Sequence, residues 1–154
     1  RMVERLENEV ILSLGSNLGN RQENLKNCTV YINKLIGQVQ CESDVFENPA
    51  QDFESENDFS NTCIKVKTEL SAKEILNQIQ AIEKKMGRIR SKKSYEDRII
   101  DIDIILLNNE ILETQELTIP HKKYRERTFV LEPLLDIGNY LDPQVFLTTE
   151  ELLT

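Results

Sequence analysis

Residues 99–107 are Ile or Leu at every position except Asp101 and Asp103. A run this rich in Ile and Leu, bounded by polar segments, predicts a strand. Side chains alternate across a strand, so Asp101 and Asp103 share a face with Ile99, Ile105 and Leu107. Ile100, Ile102, Ile104 and Leu106 fall on the other. With both faces otherwise apolar, the run predicts a central strand covered on two sides. Two carboxylates side by side in such surroundings suffer desolvation and mutual repulsion, and each effect favours protonation of one of them. A divalent cation relieves both. Hard oxygen ligands suit Mg²⁺, which is typically held by one or two carboxylates and completed by phosphate oxygens and water. The same pair is compatible with a strand end that simply reaches solvent.

The segment preceding this strand sharpens the choice. Residues 83–98 carry seven cations (Lys84, Lys85, Arg88, Arg90, Lys92, Lys93, Arg98) against three anions, a net of +4. The whole chain is −8, which leaves −12 on the remainder. A local basic loop on an acidic body suits a small polyanion and argues against a general nucleic-acid binder. It also fits a solvated surface loop. No Walker A pattern is present, so a nucleotide is not expected on a P-loop. The segment 15–20 reads as a glycine turn opening a helix. Such a turn can receive an anion at the helix N-terminus, and more often is a plain turn and cap.

Other features bound the fold. One domain is expected over 9–154, with residues 1–8, in which Arg1 precedes Met2, read as an extension or cloning remnant. Cys28, Cys41 and Cys63 are widely spaced and odd in number, so neither a zinc site nor a disulfide framework is expected, and reduced thiols in a cytoplasmic protein are. A strand is expected near 10–14. A helix follows over 20–36, with the stripe Leu25, Cys28, Ile32, Leu35 and Ile36 and a stop at Gly37. Residues 38–47 read as extended and 48–58 as a polar loop. A strand spans 59–69. Ser71 and Glu74 then match a capping box, opening a helix with Ile75, Ile79, Ile82 and Met86 on one stripe and a stop near Gly87. Beyond 107 come a short hairpin, a loop at 118–121, a helix near 129–136 and a last one from Thr148. The order β-α-β-β-α-β predicts an α+β fold on the ferredoxin-like split-βαβ plan, an antiparallel sheet with helices on one face.

At this point a set of ordered motifs stands out: ILSLGSNLGNR at 11–21, NDFSN at 57–61, E-x-x-x-x-R-x-R at Glu83, Arg88 and Arg90, R-x-x-D-x-D at Arg98, Asp101 and Asp103, LTIPH at 117–121, and R-x-F-V-L-x-P-L at 127–134. Collinear over about 11–137, they resemble the 6-hydroxymethyl-7,8-dihydropterin pyrophosphokinases of folate biosynthesis. The resemblance implies pyrophosphoryl transfer from ATP to the pterin hydroxymethyl oxygen, with AMP released. It implies that Asp101 and Asp103 hold two Mg²⁺ ions bridging the ATP phosphates, and that Arg88 and Arg98 contact those phosphates during transfer. Phe59 and Phe129 are expected to sandwich the pterin and Asn61 to read its amide edge, with Asn17, Asn48 and Tyr95 as further pterin contacts. Leu76, Gln80, Glu83, Arg90, Ile104, Thr118, His121 and Arg127 match nucleotide-side positions. A monomer with ATP and a reduced pterin as its partners is expected.

The sequence departs from the family's pattern at 94–98, where Ser94, Tyr95, Glu96, Asp97 and Arg98 stand in place of a frequent Arg-Trp-Gly-Pro-Arg. Asn48, Pro49 and Ala50 replace a frequent Thr-Pro-Pro, and Lys122 follows His121 where some relatives have tyrosine. Loops 48–58 and 88–98 are expected to act as lids. Two other classes compete with this reading. A ligand-binding regulatory domain of the same fold would leave the paired aspartates without a role. A Mg²⁺-dependent nuclease or sugar transferase would want more acidic ligands.

Overall fold

The computed structural model describes residues 7–48, 58–87 and 98–154. Arg88, Arg90 and Tyr95, with most of both expected lids, lie outside the described residues.

The two longest strands form the middle of the sheet. β1 (Asn8–Ser16) runs antiparallel to β4 (Phe59–Thr68) along its whole length. β2 (Gln38–Glu42) and β3 (Phe46–Asn48) lie end to end against the far edge of β4, and β5 (Asp101–Leu107) lies against β1. The order is β2-β4-β1-β5, with β3 beside β4. α1 (Arg21–Leu35) connects β1 to β2, and α2 (Ala72–Lys85) connects β4 to β5. This is the expected split-βαβ plan with its second strand broken in two.

Helix limits follow local chemistry. The Asn20 side chain accepts from the Glu23 N–H and caps α1, so the turn at 15–20 is a structural cap. Gly37 follows the Ile36 C-cap of α1, and it is glycine because a Cβ there would run into the Lys67 carbonyl oxygen. At α2 the capping box is complete. Ser71 Oγ accepts from Glu74 N at 3.3 Å, and Ser71 N donates to Glu74 Oε1 at 3.0 Å.

Both sheet faces are covered, and by different layers. α1 and α2 bury Leu25, Cys28, Ile32, Ile75, Ile79 and Ile82 against Val10, Leu12, Leu14, Ile64, Ile102 and Ile104. The opposite face, which the basic plan leaves open, is covered by α3 (Thr128–Ile137) and α4 (Thr149–Leu153). There Val130, Leu131 and Leu134 pack on Ile11, Cys63, Ile105 and Leu106. Each side chain sealed in this way is worth roughly 1.5–3 kcal/mol relative to exposure. A two-stranded hairpin, β6 (Leu112–Glu113) with β7 (Thr118–Ile119), precedes a 3-10 turn (Tyr124–Glu126) that leads into α3.

Two expectations about the aspartate strand are corrected. Among the described residues β5 is an edge strand, since there only β1 pairs with it. Two-sided apolarity reports covered faces and says nothing of how many neighbours a strand has. Strict alternation also fails. Leu12 pairs with Ile104 but Ile11 with Leu106, so Ile105 is an extra residue, a β-bulge. Leu106 therefore joins Ile105 on the α3 face, and Leu107 turns to the α1–α2 face.

The chain's last turn is held by a buried carboxylate. Asp142 is fully enclosed and accepts from Tyr124 Oη at 2.6 Å, Arg125 Nε at 2.7 Å and Nη2 at 3.1 Å, Gln144 N at 2.8 Å and Val145 N at 3.1 Å. Among the described residues no helix is long and apolar enough to cross a membrane.

Candidate active site

The α3 face of the sheet changes character along β1. At the Ile11 end it is sealed and apolar; toward Gly15 it becomes polar and opens. Strand register brings Gly15 beside both Asn61 and Asp101, and Ser13 beside both Cys63 and Asp103. Asp101 and Asp103 thus share a face, as their spacing requires, in front of β1. Their side chains are 26% and 36% exposed. The strand begins at Asp101, so the carboxylates sit where the sheet meets solvent. Burial is therefore only partial, in line with the open-strand-end alternative, and a ligand can reach them.

Arg98 lies in front of this edge. Its Nη1 donates to Asp101 Oδ2 at 3.1 Å, and its guanidinium carbon stands 5.6 Å from the centre of the Phe59 ring. Its backbone is fixed by Asn17, which is 1% exposed. Arg98 N donates to Asn17 Oδ1 at 2.6 Å, and Asn17 N donates to the Arg98 carbonyl at 3.0 Å. Asn17, expected as a pterin contact, thereby also sets where the arginine begins.

Opposite lies a flat, amide-bearing wall. Phe59 and Asn61 are two residues apart on β4 and share a face, and the Asn61 amide donates to Asn48 Oδ1 on β3. Gly15 makes room for them. A Cβ at this position would meet Asn61 Oδ1 at 3.0 Å and Phe59 Cδ1 at 3.7 Å. The sequence suggests a turn residue at Gly15; it is instead a strand residue whose missing side chain forms the floor of the site. A glycine interrupting a strand pattern is the signal that points to this. Phe129 opens α3 and packs at the edge of the core beneath that helix, with the Arg127 guanidinium carbon 5.4 Å from its ring centre. Arg21, from the same motif as Gly15, is a further site residue that spacing does not single out. It braces the wall by donating to Glu47 Oε2 and to the Asp58 carbonyl, each at 2.8 Å.

The nucleotide-side residues lie around β5. The His121 backbone N–H donates to the Ile105 carbonyl at 2.9 Å, which docks the segment after β7 onto the bulge. Lys123 N donates to His121 Nδ1 at 3.1 Å, so the neutral ring carries its proton on Nε2, 3.9 Å from Asp103 Oδ1. Burial, then the nearby Arg127 charge, hold the His121 pKa down at about 4. At neutral pH the ring is therefore an uncharged hydrogen-bond donor. Thr118 sits on β7 and Ile104 in the middle of β5. On α2, Leu76 is half-buried and Gln80 exposed, whereas Glu83 is 2% exposed with Oε2 accepting from Ile102 N at 3.0 Å. Gln80 and Glu83 therefore do not present one common surface.

Two carboxylates on one strand face are hard donors and fit Mg²⁺. Among the described residues no group of three or more His, Cys, Asp or Glu could hold a metal alone. Mg²⁺ seldom has such a cage, because substrate phosphates complete its shell. The cysteines do not compete for the ion. Burial pushes the Cys63 thiol up to about 12, and burial followed by Glu83 and Glu42 raises Cys28 further.

By fold and by site this is a ferredoxin-like α+β domain with a carboxylate-bearing edge strand. The family model of 7,8-dihydro-6-hydroxymethylpterin-pyrophosphokinase matches residues 11–139. The chain is 34% identical over 140 residues to the 2-amino-4-hydroxy-6-hydroxymethyldihydropteridine pyrophosphokinase of Bacillus subtilis, covering 90% of this chain and 83% of that one. It is 40% identical over 131 residues to the Helicobacter pylori protein of the same name, covering 82% and 79%. The chain belongs to the 7,8-dihydro-6-hydroxymethylpterin-pyrophosphokinase family. Longer relatives also match. The chain is 38% identical to the folic acid synthesis protein FOL1 of Dictyostelium discoideum over 94% of its own length but only 22% of that protein's. The crystal structure of Plasmodium falciparum HPPK-DHPS with pteroate shares the fold at a TM-score of 0.76 and 17% identity, over 99% of this chain and 43% of that one.

Proposed function

We propose that this chain transfers the pyrophosphoryl group of ATP to 6-hydroxymethyl-7,8-dihydropterin, as its family membership implies, in folate synthesis. The hydroxymethyl oxygen attacks the β-phosphorus, the bond from that phosphorus to the α,β-bridging oxygen breaks, and AMP leaves with the bridging oxygen while one proton is released. The observation that carries the reading is the juxtaposition of Asp101 and Asp103 with Arg98 and, across Gly15, with the Phe59–Asn61 wall.

Each side chain then has a physical role. Asp101 and Asp103 would hold Mg²⁺, two ions by resemblance, and the metal would supply positive charge to the triphosphate. Arg98, held beside Asp101, is assigned to a phosphate oxygen, and its planar fork suits that contact. Arg88 and Arg90 are assigned the same role. Phe59 and Phe129 stack on the pterin, and Asn61, steadied by Asn48, offers its amide to the ring edge, with Asn17 and Tyr95 assigned as further pterin contacts. Leu76, Gln80, Glu83, Ile104, Thr118, His121 and Arg127 make up the nucleotide side, where neutral His121 donates from Nε2. Transfer of this kind rests on positioning and charge stabilisation, so no general base is required of the protein. A monomer acting in the cytoplasm completes the proposal.

One assay tests it. Incubation with ATP, Mg²⁺ and the reduced pterin should yield AMP and the pterin diphosphate in equal amounts. ADP as the sole nucleotide product, or no turnover with Mg²⁺ in excess, would refute it.

A further inference from the structure

Among the described residues β5 is an edge strand, and no described strand pairs with the backbone groups on its outer side. One of them is the N–H of Ile102, the peptide that lies between the two aspartates. Ile102 is 3% exposed, and a buried N–H without an acceptor is costly. Glu83 meets that need from the last turns of α2. Its carboxylate, buried under the sheet edge, takes the Ile102 N–H at 3.0 Å. Because that N–H faces α2, the Leu14–Ile102 pair does not exchange ladder bonds with β1. Antiparallel alternation then gives those bonds to the neighbouring pairs, Gly15–Asp101 and Ser13–Asp103. Asp101 and Asp103 are thus tied to β1 on one side, while the peptide between them is tied to α2 on the other.

We infer that Glu83 is a positioning residue for the aspartate pair: it clamps the outer edge of β5 at Ile102 and thereby sets the spacing and tilt of the Asp101 and Asp103 carboxylates. The clamp acts through the backbone, at the Ile102 N–H between the two aspartates. Asn17 performs the matching service at Arg98, so the strip 98–103 is held from two directions by side chains that are 1% and 2% exposed. Without the Glu83 oxygen, the edge must twist to find another acceptor, and the carboxylates turn with it. The consequence for cation binding rests on the proposed function, in which these aspartates hold the metal.

The test uses the full chain with Glu83→Gln, which keeps an acceptor oxygen, and Glu83→Met, which keeps length and bulk but accepts no hydrogen bond. Two quantities are read: hydrogen exchange of the Ile102 amide in the free protein, and Mn²⁺ affinity with a non-hydrolysable ATP analogue, followed by electron paramagnetic resonance. In the Met variant the Ile102 amide should lose its protection relative to other β5 amides, and Mn²⁺ affinity should fall about tenfold, as loss of an outer-shell partner typically produces. The Gln variant, which keeps the acceptor oxygen, should hold Ile102 protection within about twofold of the parent. If Met does not fold, Glu83→Asp, one methylene too short to reach, should move both readouts in the same direction. Unchanged Ile102 protection in a folded Met or Asp variant overturns the clamp. So does lost protection with unaltered Mn²⁺ affinity, or a Gln variant whose Ile102 amide exchanges as fast as in the Met variant. Asp103→Ala is the control: unaltered Mn²⁺ affinity there would sink the metal assignment itself, while the exchange readout still decides whether Glu83 holds the strand.

Discussion

Two acidic regions of this molecule use carboxylates in opposite ways. Asp142 is shut away in the turn that follows α3 with five donors converging on it, so its charge is committed to holding that turn in place. Asp101 and Asp103 stand a quarter to a third exposed at the mouth of the sheet, one beside an arginine and the other near an uncharged histidine. An enclosed, saturated carboxylate is architecture; a pair left open to solvent is available to a ligand. Sequence alone cannot separate the two cases, because an aspartate's partners come from distant parts of the chain.

The sharpest way to break that contrast is to remove each kind of carboxylate and ask what is lost. Asp101→Ala or Asp103→Ala should cut turnover by about a thousandfold or more, since charge stabilisation at a metal is worth several kcal/mol, with thermal unfolding little changed. Parental turnover in either variant would place that residue with the structural class. Asp142→Ala should do the reverse. Breaking a buried ion pair that also closes three other hydrogen bonds should cost about 3 kcal/mol of stability, seen in denaturant midpoints, while turnover of the folded fraction stays at the parental value. A Gly15→Ala substitution sharpens the site side. Displacing Asn61 should raise the pterin KM by about tenfold, the cost of roughly one good hydrogen bond, and leave the ATP KM unchanged. An equal rise in both would show that Gly15 serves the strand and not the pterin wall.

The smallest effect is in pH. Burial raises the Asp142 pKa, but the bonds from Arg125, Tyr124 and the Gln144 and Val145 N–H groups outweigh it and hold the carboxyl below its ordinary value. A depressed folded-state pKa gives stability that is complete above the unfolded value and is lost as pH falls through the folded one. Stability of the parent should therefore decline on acidification below about pH 4, and that decline should be shallower in Asp142→Asn. Identical acid limbs would show that other carboxylates govern it.

What can be read from the sequence is local or periodic. The Ser71–Glu74 box stands as expected, both long helices begin and end within a residue or two of their expected limits, and the aspartates share a face because two-residue spacing demands it. The unread features all depend on through-space neighbours. The edge position of β5 is hidden because faces, not edges, leave a hydrophobic pattern. The role of Gly15 depends on Asn61 and Phe59, both far along the chain. The Tyr124–Arg125–Asp142 knot carries no spacing signature. Gln80 and Glu83 show the limit of helical spacing: one turn apart, they end on different surfaces because the edge of β5 buries one of them.

Ile105 is a parity error written into β5, and the candidate site depends on it. Being the odd residue out opposite β1, it turns its carbonyl to the 121 N–H and anchors the histidine segment within reach of Asp103. Deleting that one isoleucine would leave a strand of perfectly regular grammar, still rich in the same residues, that had lost both its mooring for His121 and the agreement between its tail and the two oily layers that receive it.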